Sequence, residues 1–278
     1  MNTTLVKPPA YMYPWEKRTL FLGKLPRPLK VAYGAATLII SLGKPIQARL
    51  ANRTLEGYSF LIPPNAEVTI NTGIQAVAVF HLDVLGEDYK MFTYHFSAAH
   101  TRDGAYCDLN EEADFRTLLT KLYQQPSDSS PTYTQLTALL DYTFGNQSDL
   151  ILTDQEIAIA VAAIKNQFED NIPITELANM VGMSVPTLMR RFKQQTGMPI
   201  RRLRLWHRMY ESMIFISSGQ NLTDAAYSAG FADSAHYTRT FQNMWGIGPS
   251  SLFNKTIRAH IIAPPTTPTV EPGYPETP

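Results

Sequence analysis

From about residue 30 to about residue 85 apolar and polar positions alternate in short runs: KVAYGAATLIISL, IQARLAN, GYSFLI, AEVTIN and IQAVAVFHLDV. Gly43-Lys44-Pro45, Pro63-Pro64-Asn65 and Asn71-Thr72-Gly73 separate them. A period of two, rich in β-branched residues and broken by turn formers, predicts antiparallel strands of a sandwich or barrel. The period then lengthens. Over 109–125, Phe115, Leu118, Leu119 and Leu122 share one helical face, and over 131–144 Leu136, Leu139, Leu140 and Phe144 do the same. These two helices either pack on the sheet or face another subunit.

Residues 146–152 read as a linker. Thr153-Asp154-Gln155-Glu156 then has the form of a capping box, in which the Thr hydroxyl and the Glu carboxylate satisfy free N–H groups at a helix start. From there to about Phe253 the periodicity is helical throughout. The Pro-rich stretch 261–278 supports neither helix nor sheet ladder and is expected to be disordered.

The helical half contains itself twice. ELANMVGMSVPTLMRRFKQQTG (176–197) aligns with DAAYSAGFADSAHYTRTFQNMWG (224–246) once the second copy is given one extra turn residue. Ala178 pairs with Ala226, Gly182 with Gly230, Arg190 with Arg239, Phe192 with Phe241 and Gly197 with Gly246. In each copy the alanine permits a close helix crossing, the glycine supplies a left-handed turn position, and a polar residue caps the next helix. That is a helix-turn-helix arrangement. The second helix of each copy then presents Val185, Pro186, Met189 and Arg190, or Ser234, Ala235, Thr238 and Arg239, on the face opposite its phenylalanine anchor. Such residues suit the base edges of a major groove.

Charge sharpens this picture. The 278 residues carry no formal net charge, yet residues 184–260 hold ten Lys or Arg against three Asp or Glu. One half therefore faces a polyanion and the other is neutral. Ser184, Arg191, Lys193, Arg201, Arg202, Arg204 and His236 are candidates for phosphate contacts, and each neutralised phosphate adds about −0.9 to the slope of log K against log salt. Cys107 is the only cysteine, which excludes an intrachain disulfide, a cysteine zinc site and a thiol pair. No apolar run is long enough to span a membrane, and the first residues lack the pattern of a secretory signal, so a cytoplasmic protein is expected.

Residues 153–253 resemble the DNA-binding domain of the AraC/XylS family of bacterial transcription regulators. The likeness is carried by AAYSAGFADSAHYTRTFQNMWGIGPS and by the joining helix RRLRLWHRMYESMIFI, where Arg208, Met209 and Ser212 hold the Arg-Leu-x-x-Ala positions. Ser212 replaces the usual alanine, Pro199 stands one residue early and Leu252 replaces a common aromatic. The resemblance implies two recognition helices in successive major-groove segments, about 34 Å apart. It also implies double-stranded promoter DNA and RNA polymerase as partners, activation as the outcome, no cofactor, and an N-terminal cupin-like β-sandwich that senses an effector or dimerises the chain. Homodimerisation would then use Phe115, Leu118, Leu119, Leu122, Leu136, Leu139 and Leu140.

The expected fold class is thus α+β with two domains: a cupin-like antiparallel β-sandwich with two following helices over 1–145, and an all-α domain with two helix-turn-helix units over 153–260. Effector-pocket candidates are Lys24, Arg27, Lys30, Tyr33, Phe60 and His81. Leu38, Ile40, Ile62, Val68, Ile70 and Val79 are further sandwich-lining positions. Catalytic cupins need a His-x-His set. Here only His81, Asp83, His95 and His100 are at hand, so neither a metal nor a catalytic residue is expected. The competing readings are a cupin-type binding protein or enzyme with a vestigial helical domain, and a non-specific nucleic-acid binder.

Overall fold

A computed structural model of the chain describes residues 10–264, apart from 26–27, 33–34, 51–52, 65, 84, 86, 97–100, 103–104, 110–111, 146–153, 169–170 and 256. Strands begin earlier than the alternation predicts. β1 (Tyr11–Pro14) and β2 (Arg18–Lys24) precede β3 (Leu29–Ala32), β4 (Ala36–Ser41), β5 (Ile46–Leu50), β6 (Arg53–Gly57), β7 (Ser59–Ile62), β8 (Glu67–Asn71) and β9 (Ala76–Leu82). In β2 every residue but Lys24 is buried, so the period-two signal is absent from the sequence. Helix α1 (Glu87–His95) and the short strands β10 (Thr101–Arg102) and β11 (Ala105–Cys107) follow, then α2 (Glu112–Gln124) and α3 (Ser129–Phe144).

The strands form a sandwich. One sheet runs β10-β11-β7-β4-β9-β2-β1-β12 and the other β3-β8-β5-β6. The sheets enclose Phe21, Ile39, Phe60, Ile62, Val68, Ile70 and Val79. The outer face of the larger sheet packs Leu38, Ile40, Leu61 and Phe80 against Phe115, Leu119, Leu122, Leu136, Leu140 and Phe144 of α2 and α3. Two expectations change as a result. Leu38 and Ile40 face the helices rather than the sandwich interior, because β4 is buried on both sides and gives no alternation to read. Phe115, Leu119, Leu122, Leu136 and Leu140 are buried within one chain, so they are not free for a partner; only Leu118 and Leu139 of that set stay partly exposed.

The helical half comprises α4 (Gln155–Asn166), α5 (Ile174–Met180), α6 (Val185–Thr196), α7 (Ile200–Ser217), α8 (Leu222–Ser228) and α9 (Ser234–Trp245). Asp154 caps α4 by accepting from the Ile157 amide at 3.2 Å; Thr153, expected in that role, lies outside the described residues. Helices α4 to α6 and the start of α7 enclose a cluster centred on Ile157, Leu177, Leu188, Phe192 and Leu203. The second unit is different. Met209, Met213, Tyr237, Phe241, Met244 and Trp245 belong to the same apolar cluster as the sandwich interior. Each such fully buried side chain contributes about 1.5–3 kcal/mol. The joining helix α7 therefore serves two cores at once, and the sandwich interior is continuous with the second unit's core.

After α9, a short π-helical turn (Ser251–Lys255) leads to β12 (His260–Ile261), which adds to β1 in parallel. The His260 amide donates to the Ala10 carbonyl and the Ile262 amide to the Met12 carbonyl, each at 2.8 Å. The disordered segment expected from residue 261 thus starts too early, since Ile261 and Ile262 are held by the sheet edge. Residues 265–278 and the expected linker 146–152 lie outside the described residues.

Candidate nucleic-acid interface

Each helix-turn-helix unit turns at a glycine in the left-handed region, Gly182 at φ 63° and Gly230 at φ 78°. A Cβ on Gly230 would also lie 3.2 Å from Arg208 Nε and from the Phe168 carbonyl, so the second turn needs glycine for space as well as for φ. The next helix of each unit starts at a side-chain cap. Ser184 Oγ accepts from the Thr187 amide at 3.4 Å, and Asp233 Oδ1 from the His236 amide at 2.6 Å. The cap lies two residues after Gly182 but three after Gly230, which locates the extra turn residue of the second copy.

Beyond the caps, Leu188 and Phe192 anchor α6, while Tyr237 and Phe241 anchor α9. These anchors turn the other face outward. Pro186, Met189, Arg190, Ser234, Ala235, Thr238 and Arg239 are exposed and Val185 is partly so. Their chemistry is unequal. The α6 face is apolar except for Arg190, whose guanidinium lies 3.5 Å from Gln194 Oε1. The α9 face carries two hydroxyls and an arginine. Met189 and Lys193 of α6, Arg201, Arg204 and Leu205 of α7, and His236 of α9 line a common groove of about 580 Å³, so the two reading faces adjoin one cavity.

The basic candidates divide. Lys193 and Arg201 are exposed, and the His236 ring stands edge-on to Phe231 at 5.5 Å. Arg191 is committed within the unit: its Nη2 lies 2.6 Å from Asp154 Oδ2 and 3.4 Å from Glu156 Oε2. Burial raises the Asp154 carboxyl, but hydrogen bonds from Arg191 and the Ile157 amide outweigh this and hold it below its ordinary value. Arg204 donates to the Ile172 carbonyl at 2.5 Å, and Arg208 to the Phe168 carbonyl at 2.9 Å. Burial lowers the pKa of Arg202, Arg204 and Arg208, and for Arg204 the neighbouring Arg208 charge adds to it.

The effector candidates do not come together. Lys24 is exposed, and Lys30 is an exposed residue 3.4 Å from Glu67. Phe60 sits in the sandwich interior, while Arg27 and Tyr33 lie outside the described residues. His81 is instead part of the domain seam. Its Nδ1 lies 3.0 Å from Thr37 Oγ1, and its ring stands edge-on to Trp206 of α7 and Trp245 of α9, at 4.9 and 4.3 Å between centroids. Burial lowers its pKa to about 3, so the imidazole is neutral. Asp83 pairs with Lys165 of α4 at 2.5 Å and lines one cavity with His81, while His95 lies against Phe144. Two cavities beside His81 measure about 40 and 20 Å³. Nothing in the local periodicity announces this seam, because its partners are tens of residues apart in sequence, 44 for Thr37 and His81 and 82 for Asp83 and Lys165.

A helix-turn-helix domain family matches residues 177–255. The HTH-type transcriptional activator RhaS of Escherichia coli is 29% identical over 107 residues, which is 38% of this chain and 38% of RhaS. The chain thus spans well under half the length of that curated relative. Among solved structures, unsaturated fatty acid-bound ToxT from Vibrio cholerae strain SCE256 covers 88% of this chain and 98% of its own, at 14% identity and TM-score 0.54. A second ToxT structure from Vibrio cholerae covers 85% and 97%, at 11% identity and the same TM-score. The likeness to ToxT is one of fold, and it extends over both domains. Among the described residues no helix is long and apolar enough to cross a membrane.

Proposed function

We propose that the chain is a sequence-specific DNA-binding transcription regulator of the AraC family, with a cupin-like sandwich and a double helix-turn-helix domain. The observation that carries this reading is the pair of exposed, unequal reading faces on α6 and α9, bordering one basic groove. One chain enters two successive major-groove segments, and the recognised site is asymmetric. The α9 helix supplies most hydrogen-bonded readout through Ser234, Thr238 and Arg239. The α6 helix reads thymine methyls through Val185, Pro186 and Met189, with Arg190 its only guanine-competent side chain.

In this reading the protein activates transcription in the cytoplasm by contact with RNA polymerase and performs no catalysis. It pairs with a second copy of itself through the partly exposed Leu118 and Leu139 of the α2–α3 layer. The sandwich senses a small molecule at the seam around His81. Because the cavities there are far below the 300–1,000 Å³ of ordinary ligand sites, the effector opens the seam as it enters. Unsaturated fatty acids, bound by ToxT, are the first class to try.

Selection of bound duplexes from a random pool tests the reading. A defined asymmetric motif about two helical turns long is expected. Recovery of unrelated sequences would replace this reading with non-specific binding.

A further inference from the structure

The groove between α6, α7 and α9 is more than the space left between two reading helices. Its walls carry the cations Lys193 on one side and Arg201 and Arg204 along α7, with His236 opposite. None of the described residues lining it is acidic. Arg204 is fixed rather than swinging free, because its Nη2 donates to the Ile172 carbonyl. Arg208 stands one helical turn further on, held by the Phe168 carbonyl and, at 3.2 Å, by Asn171 Oδ1. Arg204, partly exposed, lines the groove together with the exposed Lys193 and Arg201, and an anion seated there draws on all three charges. Met189 and Leu205 add apolar surface beside these charges.

The position of the groove names the anion. It adjoins Met189 on the reading face of α6 and His236 at the start of α9. Whatever occupies it lies between the two major-groove segments that those helices enter, where the sugar-phosphate backbone flanks the intervening minor groove. We propose that this groove seats a backbone phosphate at the centre of the recognised site, gripped by Lys193, Arg201 and Arg204. The inference rests on the DNA-binding reading above. It makes the central phosphate contact distinct from those at the outer edges, and it leaves Arg191, committed to Asp154, outside the seat.

Binding of the full chain to a selected duplex tests it, with each central linkage replaced in turn by an uncharged methylphosphonate. One neutral linkage is expected to weaken binding about tenfold, the effect of one desolvated charge contact. The double variant Lys193→Ala/Arg201→Ala, both exposed positions, is expected to lose a similar factor and to flatten the salt slope by about 0.9. Combined with the neutral linkage, the variant should lose little more. Additive losses, or no sensitive linkage between the segments, would overturn the proposal while leaving sequence-specific binding in place. Competition by millimolar pyrophosphate without any such linkage would also overturn it, by assigning the groove to a free anion. Failure to bind any duplex specifically would instead remove the underlying reading.

Discussion

The two helix-turn-helix units share a sequence frame but stand in different surroundings. The first encloses its own core around Leu188 and Phe192 and meets the sandwich half at Leu85, at Pro64 beside Gly197 and through the Lys165–Asp83 ion pair. The second has no separate core: Phe241, Met244 and Trp245 continue the sandwich interior, and Trp245 stacks on Trp206 while His81 stands edge-on to both. A repeat in sequence is therefore not a repeat in mechanics. A change inside the sandwich meets α9 directly, whereas it reaches α6 through α7 or across these outer contacts.

Core truncation should separate the units most sharply. Phe192→Ala and Phe241→Ala, both fully buried, should each cost about 3–5 kcal/mol. Hydrogen exchange should show the sandwich amides still protected in the first variant and loosened in the second. Equal protection in both would mean that the second unit is as separable as the first. Removing residues 260–278 deletes β12 and its two 2.8 Å bonds to β1. A loss of about 1–3 kcal/mol is expected, felt in the sandwich and second unit but not in the first.

On DNA the contrast should reverse into one of chemistry. Arg239→Ala should weaken binding to the selected site by about 1–3 kcal/mol while scarcely changing binding to random duplex. Arg190→Ala, on the apolar face, should cost less. An equal loss on random DNA would reduce Arg239 to a phosphate contact.

Two smaller effects depend on pH. Asp154 is held below its ordinary value, so it stabilises the first unit above about pH 3.8 and loses that contribution as pH falls through its lowered value. Asp154→Asn keeps a competent cap but loses the Arg191 pair, and acid titration of its melting temperature should show the slope removed. Glu211 behaves oppositely. Burial, and then Glu16, raise its carboxyl to about 7, so its contribution is full below pH 4.5 and fades as pH rises to about 7. His207, 3.4 Å away, is itself lowered by burial. Glu211→Gln should remove most of that decline, as seen in melting temperature against pH.

Much of this architecture was legible where burial is one-sided. The amphipathic stripes of α6 and α9, their glycine turns and the one-residue offset between copies all follow from local spacing. What escaped has a common cause. In β2 and β4 both faces are covered, so alternation disappears and β4 gave the wrong lining residues. Leu119 and Leu136 lie on helical stripes that look alike whether they meet a sheet or a partner. Residues His81, Trp206 and Trp245, and the strand addition of β12, join positions far apart in the chain, which no local period encodes.

The central claim is that one chain reads two segments on the same face of a duplex with heads of unequal chemistry. Affinity for a selected site, compared with the same site carrying five extra base pairs between its halves, tests it directly. Half a helical turn moves one segment to the opposite face. The account predicts a fall towards the affinity of the α9 half alone, with little further loss when the α6 half is scrambled. Unchanged affinity for the lengthened site would contradict it.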